Sequence, residues 1–319
     1  MSLLAQVLPS CARVAEAAQS VRINPDALAA YALRLEPHLP EKLVHSDHHL
    51  VGEGETSIAY FLMLDCLNFG SGFFDYWAPY SGETGYFAVA RALKDWMVAT
   101  GPPPPEQLRA LTPEAMAHLF HQDHSDEKLA PLLEWFSKAC AELAGFLEGP
   151  LQGRYSNIIE LNNASAPEMV EALTVMPMFR DVVRYDGQDV VILKRAMIFV
   201  HDLAIALDQA EEGEIKNLDQ IAVFADNILP FFLEANGVLD YAPELKARIA
   251  SGEVLTSGEP AEVELRACSI HASELLRQAI AARGMAVTAR DIDFALWNLG
   301  TDLSEEAGQT THICKTWFY

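Results

Sequence analysis

Basic residues are scarce in this sequence: 22 lysines and arginines stand against 45 aspartates and glutamates, for a net charge of −23. A surface of that sign repels phosphate backbones, which argues against long nucleic acids and anionic membranes as partners. It leaves room for a small cationic ligand, or for one phosphate held in a local basic pocket. Long apolar runs are missing too. None approaches the ~20 residues that span a bilayer. The opening MSLLAQVLPSCARVAEAAQ has neither the basic start nor the apolar core of a signal peptide. Cysteines are few, at 11, 66, 140, 268 and 314, with no CxxC pair. An odd number at wide spacing argues against a disulfide framework and reads as reduced thiols in a cytoplasmic protein. Internal repeats and low-complexity tails are absent as well.

What is present points to helices. Half of the 319 residues are hydrophobic, ample for a sizeable core in one large domain or two fused lobes. Apolar groups recur at three- and four-residue spacing over 25–36, 86–99, 105–120, 128–147, 167–175, 194–210, 243–250 and 267–284. Asn24-Pro25, Thr112-Pro113 and Ser165 to Pro167 look like helix caps with proline in the first turn. TGPPPPEQ at 100–107 is the strongest break and a candidate lobe junction. It is short, so it reads as a connection between helices inside a single domain covering 1–319. RDVVRYDGQDVVILK at 180–194 predicts a hairpin around Asp186-Gly187, and EVLTSGEPAEVEL at 253–265 a second brief extended stretch. The expected fold is mainly α with minor β-hairpin elements.

Histidines cluster twice. AHLFHQDHSDE carries His118, His121 and His124 with Asp123 and Asp126, and VHSDHHL carries His45, Asp47, His48 and His49. Imidazoles and carboxylates at helical spacing can converge on zinc. The first cluster runs off a helix end into a polar loop, however, and no metal and no cofactor is expected at either. His49 has the better claim to a pocket, because a large apolar segment follows it.

That segment, YFLMLDCLNFGSGFFDYW at 60–77, buries Asp65 in an apolar run with Asn68 three residues on. Phe69, Phe73, Phe74, Tyr76 and Trp77 supply ring faces. It is either a core helix whose polar groups cap a turn, or a pocket for a flat heterocycle read at its edge. DQIAVFADNILP at 219–230 raises a sharper question. On a helix, Asp226 would sit beside Ala222, Val223, Leu229 and Pro230, where an unpaired charge is costly. ILKRAMIFVHDL at 192–203 sets Lys194 and Arg195 between a strand-like run and an apolar helix. EVELRACSIHASELL at 262–276 sets Glu262, Glu264 and Arg266 ahead of a helix with Ser269. A solvated salt bridge is the default account of each one. Four such segments in one chain favour a shared polar pocket.

Taken in order, YFLMLDCLNFGSGF, FRDVVRYDGQDVVILKRAMI, LDQIAVFADNILPFFLEANGVL and GEPAEVELRACSIHASELL resemble the queuosine salvage protein family. YSGETGYFAVARAL, LFHQDHSDEKLAPLLEW and DFALWNLG match as well, so the resemblance covers roughly 45–319, while residues 1–44 match weakly. The specificity lies in the order and spacing of the blocks. The resemblance implies queuosine 5′-phosphate N-glycosylase (hydrolase) activity, which releases queuine and leaves ribose 5-phosphate. It implies a helical fold similar to the helical DNA glycosylases, acting on a free nucleotide rather than intact nucleic acid. Asp226 then corresponds to the catalytic carboxylate, with Lys194 in the same site and expected as its partner. Asp65, Asn68, Phe69, His49, Asn227, Glu264, Arg266, Ser269 and Tyr319 are expected to meet the substrate. Two departures stand out. Family members often carry tyrosine and arginine after the acid, where this chain has Asn227 and Ile228. Many end in a basic stretch closing with two aromatics, where this chain has HICKTWFY with Lys315 and Phe318-Tyr319. If the usual arginines touch phosphate, other groups do so here, or substrate preference has shifted.

The chemistry fits those residues. Breaking an N-glycosidic bond develops positive charge on the ribose, which a poorly solvated carboxylate stabilises. The same carboxylate could act as nucleophile or as base. Queuine has carbon where a purine has its protonatable nitrogen, so recognition of the rest of the base must do more. Two other readings fit the sequence: a nucleosidase for another modified nucleoside or nucleotide, and a non-catalytic deazapurine-binding protein.

Overall fold

Helices carry most of the chain, and strands occur only in three two-stranded sheets among the described residues. The computed structural model describes residues 2–40, 42–211, 213–307 and 311–319, without the side chains of 302 and 304–307. Two compact units are built from interleaved segments. The first comprises Met1–Leu43, Asp181–Met197 and Asp219–Lys315; the second comprises Val44–Arg180, Ile198–Leu218 and Thr316–Tyr319.

The first unit is organised by the helix Pro260–Ala281. Helices Val7–Ala17, Pro25–Leu35, Ile228–Ala235 and Ala289–Ala307 all pack against it. Being surrounded, it buries residues on most of its circumference, polar Glu262, Glu264, Arg266 and Ser269 among them. Strands Val21–Ile23 and Leu239–Tyr241 pair antiparallel nearby. The hairpin expected around Asp186-Gly187 is present: Val182–Tyr185 pairs with Gln188–Val191, and Tyr185 faces Gln188. Asp186 at φ +46° and Gly187 at φ +73° form the left-handed two-residue turn that matches strand twist. The extended stretch expected over 253–265 is much shorter. Only Val254–Leu255 is strand, parallel to Ile313–Cys314. Glu259 accepts the Thr256 amide at 3.1 Å and Pro260 then fixes a first helical φ, so the chain turns directly into the long helix.

The second unit has a different centre. Helix Glu55–Cys66 buries ten of its twelve residues and packs on helices Gly85–Thr100 and Ala130–Glu148. Phe69, Trp77 and Phe120 close on Phe136 at ring separations of 5.0, 5.9 and 5.6 Å. Such ring pairs add about 0.5–1.5 kcal/mol each beyond area burial. The helical spacing over 105–120 is split into Pro105–Arg109 and Pro113–Leu119. Pro113 forces Thr112 out of helical geometry, and the Thr112 hydroxyl then accepts the Ala115 amide at 3.2 Å to cap a new helix. TGPPPP lies within this unit as an inter-helix connection, and Tyr155 donates to the Pro103 carbonyl at 2.7 Å. Ser165 occupies a cap position without a side-chain cap bond. Helix Lys194–Ala210 begins in the first unit and continues into the second from Ile198. Among the described residues no helix is long and apolar enough to cross a membrane. All five cysteines are buried, and burial pushes the Cys11 thiol up to about 12.

Candidate active site

Asp226 does not lie on a helix. Residues 221–226 run without regular structure, and helix Ile228–Ala235 begins two residues later. The expected helical neighbours are therefore replaced by a different solution to the buried charge. Ile221, Val223, Phe224 and Ala225 are buried, so their backbone polar groups need partners from elsewhere. The Phe224 amide donates to Asp293 Oδ1 at 3.1 Å, and the Ala225 carbonyl accepts from Arg266 Nε at 3.2 Å. Asn227 Nδ2 donates to Thr311 Oγ1 at 3.0 Å. The segment is pinned on both sides of the acid.

Asp226 itself uses the helix that follows. Its Oδ1 accepts the amides of Ile228 at 2.8 Å and Leu229 at 3.2 Å. These are first-turn donors with no helical acceptor, at the positive end of the helix dipole. Its Oδ2 stands 3.9 Å from Lys194 Nζ, with side-chain exposures of 14% and 5%. That separation is an ion pair without a hydrogen bond.

Lys194 arrives by a strained turn. The amides of Ile192 and Leu193 both reach the Asp181 carbonyl, at 3.0 and 3.4 Å, and Leu193 takes φ +53°. A left-handed, fully buried leucine costs on the order of 1 kcal/mol. The helix then starts at Lys194 itself.

The other expected residues of this unit are engaged by protein groups. Arg266, expected at the substrate, donates through Nη1 to Asp181 Oδ1 at 3.3 Å and through Nη2 to Oδ2. Glu262 Oε1 lies 3.5 Å from Nη1, and Glu262 Oε2 accepts the Gly258 amide at 3.0 Å. Glu264 ties the turn before Val21: its Oε2 accepts the amides of Gln19, Ser20 and Val21 at 3.1, 2.6 and 3.1 Å. Its Oε1 accepts the Tyr185 hydroxyl at 2.8 Å, and burial together with this carboxylate pushes that phenol up. Ser269 donates to the Leu265 carbonyl of its own helix at 2.6 Å. Glu264 and Ser269 thus both bond to the backbone. His312 is buried here, and burial with the charge of Arg266 holds its imidazole down at about 3. Sequence reasoning missed His312, Asp181, Asp293 and Thr311. An acid just before a predicted strand was the available signal for Asp181.

Asp65, Asn68, Phe69, His49 and Tyr319 fall in the second unit. Asp65 is fully buried, and Asn68 Nδ2 donates to its Oδ1 at 3.3 Å from just beyond the helix end. Phe69 sets its edge against Phe136. His49 Nε2 pairs with the Tyr86 hydroxyl at 2.8 Å, and burial, with His45 nearby, holds its imidazole down at about 3. His45 Nε2 meets the Asp202 carbonyl at 2.7 Å, and His48 meets Glu83 at 2.8 Å. Tyr319 is buried, its carbonyl accepting the Gly70 amide at 3.0 Å. Gly70 has φ +99°, and a Cβ there would come within 2.5 Å of Leu132. In the other histidine cluster, His121 stacks on Tyr80 at 4.5 Å. Among the described residues no three metal-binding side chains converge.

The fold and the first unit's geometry define a mainly helical protein with a poorly solvated aspartate set between a helix N-terminus and a lysine. Comparison with known proteins gives that class a family. Residues 48–319 match the family model described as queuosine salvage protein. The chain is 36% identical to the queuosine 5′-phosphate N-glycosylase/hydrolase of Sphaerobacter thermophilus, over 98% of this chain and 97% of that protein. It is 28% identical to the Bos taurus protein of that name, over 80% and 79%, and 26% identical to the Schizosaccharomyces pombe one, over 94% and 92%. The chain belongs to the queuosine salvage protein family.

Proposed function

We propose that this protein hydrolyses the N-glycosidic bond of queuosine 5′-phosphate, releasing queuine and ribose 5-phosphate for queuine salvage in the cytoplasm. The names of its relatives in bacteria and eukaryotes support the substrate. The observation that carries the chemistry is the division of labour at Asp226. One oxygen is fixed by two backbone amides, and the other faces Lys194 without a hydrogen bond to it. The family match runs through segments of both units, which supports treating them as one queuosine-salvage domain.

In this reading the C1′–N bond breaks with its electron pair leaving on the base. Positive charge grows on the ribose, and Asp226 stabilises it, either through space or by bonding to C1′. Water then supplies oxygen to C1′, and the proton it loses ends on the departing base, which leaves as neutral queuine. Scarce solvent around the carboxylate strengthens its effect, and Lys194 stands 3.9 Å from its second oxygen. The deazaguanine base offers no protonatable nitrogen at the purine position, so charge stabilisation at the sugar has more to do. A net charge of −23 disfavours intact tRNA and suits a base with an amine-bearing side chain.

Mass spectrometry after incubation with queuosine, its 5′-phosphate and queuosine-containing tRNA tests this. Queuine and ribose 5-phosphate should appear from the nucleotide, with tRNA left intact. Comparable release from folded tRNA would contradict the substrate assignment. Binding of the nucleotide without release would favour a deazapurine-binding protein. Turnover of a different modified nucleoside alone would fit the altered positions Asn227 and Ile228.

A further inference from the structure

We infer that Arg266 is a positioning residue, which sets the separation of Lys194 and Asp226 through Asp181 and the Ala225 carbonyl; the inference rests on the site proposed above. A guanidinium offers its donors in one plane with fixed directions. Both terminal nitrogens meet the Asp181 carboxylate, which fixes that plane. Nε then has one direction left, and it ends on the Ala225 carbonyl at 3.2 Å, one peptide before Asp226. On the other side, the main-chain carbonyl of Asp181 takes the amides of Ile192 and Leu193, at 3.0 and 3.4 Å, immediately before Lys194. One side-chain plane therefore determines where both ends of the ion pair begin.

The need for such a device is visible in the backbone. Residues 221–226 have no helix or strand ladder of their own, and Leu193 sits at φ +53°, a conformation that must be imposed from outside. A buried ion pair adds little net stability over apolar packing of equal volume. What the two-point bond adds is direction, which these two segments lack. A phosphate-binding role fits less well. Arg266 is 2% exposed, all three of its nitrogens face protein acceptors, and Glu262 lies 3.5 Å from Nη1. An incoming anion would have to displace Asp181 beside a second carboxylate.

Arg266→Lys keeps the charge and loses the fork, and Asp181→Asn keeps the shape and the main-chain carbonyl while losing the charge. Each is compared with wild type in three ways: kcat and KM for queuine release from the nucleotide and the nucleoside, amine-labelling rate of Lys194 by peptide mass spectrometry, and near-UV circular dichroism. Both variants should stay folded and keep KM within about threefold. Their kcat should fall by on the order of tenfold or more, equally on both substrates. Lys194 should label several-fold faster. A KM rise confined to the nucleotide would overturn the inference in favour of phosphate contact. Unchanged kcat and labelling in a folded variant would reduce the pair to ordinary packing. Loss of the folded signal in both variants would contradict it as well, by making the pair a condition of folding. If wild type releases no queuine, the proposed function fails on its own, and the labelling rate still decides the placement of Lys194.

Discussion

Asp226 shows why an acid survives in an apolar segment: its charge is shared between a helix N-terminus and a lysine rather than left to solvent. The apolar letters around it made the question legible in the sequence. The answer was not, because it depends on Asp226 preceding a helix instead of lying on one. Partners far along the chain were hidden for a similar reason. Glu264 is bonded to amides some 245 residues away, and Arg266 to an acid 85 residues away, so neither set of partners was readable from the local sequence. Lys194→Met tests the pair from its other side. Removing the cation should lower turnover by about tenfold or more and also destabilise the fold, since the carboxylate keeps only its amides. Turnover equal to wild type in a steady-state assay would remove Lys194 from the chemistry.

Among the elements, those specified by local chemistry were the readable ones. The Asp186-Gly187 hairpin follows from a two-residue turn with left-handed geometry, and the caps at Asn24 and Thr112 from side chains that accept amides three residues on. The start of helix Pro260–Ala281 was not legible, because it falls in the stretch over 253–265 whose sequence reads as extended. Thr112→Ala should cost about 1 kcal/mol of stability through lost capping, with kcat and KM unchanged. Chemical denaturation alongside the activity assay measures both, and a change in KM would show that this helix start matters to the site.

For the molecule as a whole, the order of blocks along the chain was enough to indicate the family, while its division into interleaved units was not. Unit membership is set by contacts between distant segments, which a single sequence does not display. Stability against pH is a property of the same kind. His49 and His312 are held neutral by burial, at about 3 against an ordinary 6.5. Below 6.5 the unfolded chain takes up protons that the folded chain refuses. Their contribution is therefore complete above pH 6.5 and is lost as pH falls from there toward 3, by up to about 1.4 kcal/mol per pH unit for each imidazole. Urea midpoints at pH 7.5 and 5.5 should show the loss, and His49→Gln with His312→Gln should flatten it. An equally steep dependence in the double variant would place its origin elsewhere.

The central claim is that the charge of Asp226 performs the reaction, and Asp226→Asn tests it most directly. Asparagine keeps the size of the side chain and an oxygen for the Ile228 and Leu229 amides, and removes only the charge. Melting temperature, nucleotide binding and queuine release should be measured on the one purified variant. The account predicts a folded protein that still binds queuosine 5′-phosphate and releases queuine at least about a hundredfold more slowly. A folded variant with near-normal release would contradict it.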